Sequence, residues 1–130
     1  MEKSTRKVAI ALLFFNAFSA IFGGASLIFD PSGEFLQMPI DLLEFSPFNN
    51  FLIPGIILFT VNGLFNLYVG ILGIRKSRIF PSLTILCGLL LTAWITIQIV
   101  LIKDFFAPAH LPYYLIGILM FFLGFKLRVA

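Results

Sequence analysis

The chain has 130 residues, of which 60% are hydrophobic and only 12% charged, with a mean hydropathy of +1.06; soluble domains carry about a quarter charged residues. This excludes an ordinary water-soluble domain and leaves one domain whose solvent is lipid. The formal charge of +3 is not gathered into a basic stripe interleaved with aromatics, which excludes a nucleic-acid groove, and the single cysteine, Cys87, excludes an internal disulfide or a CxxC redox or zinc pair.

A helix rises 1.5 Å per residue, so about 20 apolar residues cross the roughly 30 Å of bilayer hydrocarbon. Val8 to Phe29 contains no charged residue and predicts a first span over 8–29. Its basic start and the small residues Ala17 and Ser19 also fit a cleavable signal peptide, but the apolar run continues another ten residues to Phe29, which favours a retained helix. The segment 30–50 is too long for a simple turn and too apolar for a disordered linker, because Phe35, Leu36, Met38, Ile40, Leu42, Leu43, Phe45 and Phe48 load it with hydrophobic surface. It is expected to lie on the outer membrane surface or to fold over the mouth of the bundle. Within it, Asp30-Pro31-Ser32-Gly33 reads as a turn. Pro39 to Phe45 reads as a short helix with Asp41 and Glu44 on one side, and Ser46-Pro47 as a helix N-cap followed by proline.

A second span is predicted over 51–74, with Pro54-Gly55 marking a kink or local opening near one end. The link Arg75-Lys76-Ser77-Arg78 is so short that the next span, 79–102, must be its antiparallel neighbour, with Pro81 tolerated in the first turn. A fourth span over 108–127 is built on Leu111 to Phe125, with Phe105-Phe106-Ala107-Pro108 sinking into one interface and Lys126 snorkelling at the other. The predicted fold is all-α: a transmembrane up-down four-helix bundle over 1–130 with a long, partly helical first outer loop.

Cytoplasmic flanks carry the excess of Lys and Arg. Lys3, Arg6, Lys7, Arg75, Lys76, Arg78, Lys126 and Arg128 fall on one side, whereas Lys103 falls on the other with Asp30, Glu34, Asp41, Glu44 and Asp104. Both termini are therefore expected to be cytoplasmic, and the basic side can also attract anionic lipid headgroups.

The run Asp30-Pro31-Ser32-Gly33, Met38-Pro39, Ser46-Pro47-Phe48, Phe51-Leu52-Ile53-Pro54-Gly55 and Asn62-Gly63 resembles a family of small four-span bacterial membrane proteins with no established activity. That resemblance covers about a third of the chain. It implies a bacterial plasma membrane and transfers no catalytic role. The helix count is also shared by DoxX-like proteins and by the sterol-isomerase class, whose motifs are not recognisable here.

The apolar runs 8–29, 51–74, 79–102 and 111–125 contain no Asp, Glu, Lys, Arg or His, which argues against an ion-coupled pump. The polar groups within the spans are Asn16 and Ser19, then Thr60, Asn62 and Asn66, then Thr84, Cys87, Thr92, Thr96 and Gln98. Such groups either bond helix to helix or line a ligand, and both roles stay open for Asn16, Asn62, Asn66, Cys87, Trp94 and Gln98. Asn16, Asn66, Cys87 and Gly117 each stand nine residues from a basic boundary. They should share one level, about 14 Å deep, with Asn16 and Asn66 bonding each other or a shared partner. Trp94 sits below the outer interface and should seek a partner for its indole N–H, while Tyr113 and Tyr114 fit an interfacial belt. On the outer side, Asp30 and Glu34 are the acid–base candidates, and His110 is a candidate metal ligand that lacks a second His. No cofactor is implied. The expected partners are membrane lipids and a membrane protein or a second copy of the chain. The leading functional expectation is action through protein contacts or by holding an apolar, lipid-like molecule in the outer half. The alternatives are a small membrane enzyme acting on a lipid-soluble substrate through the loop carboxylates, and a transporter subunit.

Overall fold

The computed structural model describes residues 2–36, 46–102 and 107–129. Among these there is no strand, and four helices account for nearly everything: α1 (Glu2–Phe29), α2 (Leu52–Ile74), α3 (Phe80–Ile102) and α4 (Ala107–Val129). Each is long and apolar enough to cross a membrane, and the bundle they form is compatible with a multi-pass membrane protein. The exterior agrees with a lipid solvent, since only 28% to 33% of each apolar window is buried within the protein. Phe15, Phe18, Phe22, Leu89, Leu115 and Phe122 all stand exposed on the helix flanks.

The bundle is built from two tight pairs. On the α1–α2 seam the helices touch through small residues. A Cβ added to Gly24 would lie 2.6 Å from the Phe59 backbone nitrogen and 2.8 Å from the Gly55 carbonyl, and one added to Gly63 would meet Ile21 at 2.8 Å. The α3–α4 seam is tighter still: a Cβ on Gly88 would lie 2.5 Å from the Gly117 carbonyl, and one on Gly124 would lie 2.8 Å from the Ile85 nitrogen. At the end that carries the basic residues the two pairs are joined closely. Ser77 N donates to Leu72 O at 3.0 Å and Lys76 N to Gly73 O at 3.1 Å, a Schellman stop in which Lys76 takes the left-handed conformation, φ 56. Near that end and toward the middle, Leu13, Val69, Phe80, Cys87 and Met120 fill the core, all essentially inaccessible.

Two local readings needed correction. Ser46 does not cap a helix: its Oγ accepts from Phe48 N at 3.2 Å in a local turn, and α2 starts only at Leu52, whose N–H is met by Asn50 Oδ1 at 3.0 Å. Asn49 and Asn50 favour such turns over helix, which delays the start. The opening expected at Pro54-Gly55 also lies further on, because Pro54 sits harmlessly in the first turn and residues Leu58–Leu64 adopt a π-helical register. The Asp30–Gly33 turn forms as expected, with Gly33 N on Asp30 O at 3.1 Å and Gly33 at φ 84. Phe51 N then donates to Pro31 O at 2.8 Å and ties the two ends of the loop together. The expected helix over Pro39–Phe45, with Asp41 and Glu44, and the expected cover over the bundle mouth lie outside the described residues, as does Asp104.

Candidate functional site

Between the two helix pairs, toward the end opposite the basic residues, lies a cavity of about 230 Å³. All four helices contribute to it. Asn16, Ser19, Ala20 and Gly23 come from α1, Leu58 from α2, Leu91, Trp94, Ile95 and Gln98 from α3, and His110 and Tyr113 from α4. These residues cover two turns of α1 and two of α3, so the cavity is roughly 10 Å tall at the helical rise. Helical spacing accounts for the set: positions 16, 19, 20 and 23 share one stripe of α1, and 91, 94, 95 and 98 share one stripe of α3.

Among the described residues the wall carries no Asp, Glu, Lys or Arg. Its polar groups fall into two classes. Ser19 and Tyr113 satisfy each other: the Tyr113 hydroxyl donates to Ser19 Oγ at 3.0 Å, and Ser19 donates to Phe15 O at 2.9 Å, linking α1 to α4. At the next position of α4, the Tyr114 hydroxyl shares a bond of 2.7 Å with Thr96 Oγ1, between α3 and α4. The tyrosines thus turn their hydroxyls onto neighbouring helices, where an interfacial belt was expected; a bundle partner inside hydrocarbon is worth more to a phenol than none. In the second class, Asn16 is 1% exposed and Trp94 8% exposed, yet Asn16 Nδ2 and Trp94 Nε1 have no hydrogen-bond partner. Among the described residues the partner expected for the Trp94 indole is therefore not found.

The other amides lie deeper. Ile21 against Gly63 and Phe14 against Gly70 bracket Asn16 on α1 and Asn66 on α2, so the two lie within about 3 Å of one level, and both are buried. The bond expected between them is not made. Asn66 Nδ2 reaches back along its own helix to Val61 O at 3.5 Å, where the π register of α2 returns to α, while its Oδ1 has no partner. A helix that changes register frees a carbonyl, and a nearby amide is a natural donor to it in the absence of water. Asn62, fully buried, has neither amide atom paired. Neither α2 amide lines the cavity. Cys87 is likewise buried, in the apolar core beside Leu91 and Met120 and away from the cavity wall.

The loop-side candidates are placed differently. Asp30 Oδ1 accepts from Ser32 Oγ at 2.6 Å and Ser32 N at 3.3 Å, and Oδ2 accepts from Phe35 N at 3.1 Å, so the carboxylate caps the 3₁₀ turn Glu34–Leu36. The Ser32 hydroxyl, and then the Phe35 and Ser32 N–H groups, hold its carboxyl below the ordinary value of 3.8 against a smaller opposing effect of burial. An ionised, fully engaged carboxylate is a structural acceptor and a poor proton donor. Glu34 is exposed on the same turn. His110 lies in the cavity wall, and among the described residues no three His, Cys, Asp or Glu side chains come together. Ser19, Ala20, Gly23, Leu58 and Tyr113 were not expected at a site. Only the i, i+3, i+4 spacing of small and polar residues around Asn16 could have signalled the first three.

Comparison with family models, with curated proteins and with solved structures gave no match to this chain. The resemblance carried by the DPSG to NG motifs gains no support from them, and the functional reading rests on the cavity alone.

Proposed function

We propose that this is a non-enzymatic membrane protein of the bacterial plasma membrane that holds a small apolar, lipid-like molecule between its helix pairs in the outer half of the bilayer. The observation that carries the reading is the cavity of about 230 Å³ whose wall combines apolar side chains with two buried, unpartnered N–H donors. A dry cavity of about 150 Å³ admits benzene, so this one has room for a bicyclic ring or a ring with a short chain. Few, well-placed polar groups in an apolar wall are the usual composition of a small-molecule site. The termini are cytoplasmic in this reading because the basic residues share their side. Reporter fusions at Lys76 and Ala130 should then read inside and one at Gln37 outside.

Trp94 is the chain's single tryptophan and stands in the wall, so its emission reports occupancy directly. In nanodiscs, 1-bromonaphthalene should quench it saturably through the heavy atom. Ala20→Phe, which fills the cavity from α1, should leave only the linear quenching of bilayer partition. Linear quenching in the unmodified protein would sink the reading.

A further inference from the structure

Resting on that binding reading, we infer that the molecule held in the cavity is a neutral hydrogen-bond acceptor, a carbonyl compound such as a ketone, quinone or ester, received by Asn16 and Trp94. Among the described residues, the polar atoms of the wall that are fully buried and without a partner are Asn16 Nδ2 and Trp94 Nε1, and both are donors. A buried donor left unpaired is costly, most of all in hydrocarbon, where no water competes to repair it. Both residues line the same cavity. The terminal torsions of Asn and Trp are soft, so either N–H can turn toward an acceptor placed there. Gln98, half-buried in the same wall, can add a third amide donor.

Charge narrows the class further. Among the described residues no Lys or Arg stands in the wall, so a carboxylate or phosphate would meet no compensating charge there, which burial strongly disfavours. A polyol would face apolar wall at Ala20, Leu58, Leu91 and Ile95, and the Ser19 and Tyr113 hydroxyls there are already engaged with each other. What fits is an apolar ring or chain with a carbonyl oxygen placed to accept from Asn16 and Trp94.

The test uses an isosteric pair in nanodiscs, 2-acetylnaphthalene and 2-isopropylnaphthalene, each displacing 1-bromonaphthalene, with affinities corrected for bilayer partition. The ketone should bind about 10-fold tighter, since one recovered hydrogen bond is worth about that factor. Asn16→Leu should reduce the ketone's affinity severalfold and leave the hydrocarbon's unchanged. Difference infrared spectra should show the bound carbonyl stretch shifted to lower frequency, and Trp94→Phe, read by the same spectra, should reverse part of the shift. Equal saturable binding of the two probes with an unshifted carbonyl would overturn the acceptor assignment while leaving the site standing. Failure of both probes to displace anything saturably would overturn the site together with the assignment.

Discussion

Glycine placement on the α3–α4 seam makes a sharp quantitative test, with Gly88→Ala as the perturbation and Gly23→Ala as its reference. A Cβ at Gly88 would lie 2.5 Å from the Gly117 carbonyl oxygen and 2.7 Å from the Phe121 nitrogen, nearly an ångström inside ordinary van der Waals contact. Both neighbours are backbone of a helix and cannot rotate aside. The helices must move apart, which loosens the contacts at Gly117–Thr92 and Gly124–Ile85 as well. Overpacking of this kind costs about 1–3 kcal/mol, and a backbone neighbour places it in the upper half of that range. At Gly23 the new Cβ meets only Leu58 Cδ2, at 3.4 Å, on the cavity side. Helix propensity favours alanine over glycine by up to about 1 kcal/mol at both positions and so drops out of the comparison. Gly88→Ala should therefore unfold about 2 kcal/mol more easily than Gly23→Ala, which should itself match or exceed the unmodified protein. Reversible SDS unfolding in mixed micelles gives both values. Agreement of the two variants to within about 0.5 kcal/mol would refute the close seam.

Other consequences can be measured on the same preparation. Asn62→Leu, by removing an amide with neither atom paired, should stabilise the bundle by about 1 kcal/mol; a loss of stability would mean that water or a ligand satisfies Asn62. Tyr114→Phe removes the bond to Thr96 between α3 and α4 and should cost about 0.6 kcal/mol, an ordinary value for a hydrogen bond between membrane helices; no loss would show the pair to be idle. Because the folded-state pKa of Asp30 lies below its ordinary 3.8, its capping is complete above that pH and is lost as pH falls through the lowered value. Hydrogen exchange at Phe35, corrected for intrinsic rate, should be flat above pH 4 and accelerate only below it, and Asp30→Ala should abolish that dependence.

The helices were legible because a lipid solvent leaves little choice: runs of about 20 apolar residues can only be spans, and Arg75 to Arg78 can only be a tight link. The burial of Asn16, Asn62 and Asn66 was also legible, since an amide cannot face hydrocarbon. Their partners were not. Asn66 lies close to the level of Asn16, as depth counting from the basic boundary implies, yet it bonds Val61 of its own helix, because the π segment of α2 places a free carbonyl nearer. Nothing in Leu58 to Leu64 announces that register, which depends on how α1 packs against Gly55 and Gly63. Ser46 illustrates the same limit at short range: Ser-Pro fits a cap equally well as a turn, and the asparagines that follow decide between them.

The cavity follows from the way the two tight pairs are joined. Glycine seams bring α1 to α2 and α3 to α4 at backbone distance, so each pair behaves as a thick plank. The planks are linked at the basic end by the Schellman turn at Arg75–Ser77, and there Phe80 closes on Gly73 and Ile10. At the opposite end, α1 and α2 are separated by the long loop, whose described base is tied across the α1–α2 pair, by Phe51 to Pro31. Between the planks, the Tyr113–Ser19 bond spans the gap at one point of the cavity wall. Two planks hinged at one end and propped by a hydroxyl pair near the other must either collapse on large apolar side chains or enclose space. The facing stripe of α1 offers Asn16, Ser19, Ala20 and Gly23, too little volume to fill the gap. Small residues that are not consumed by a helix seam, set opposite an indole with no partner among the described residues, are the features on which the proposed occupant rests.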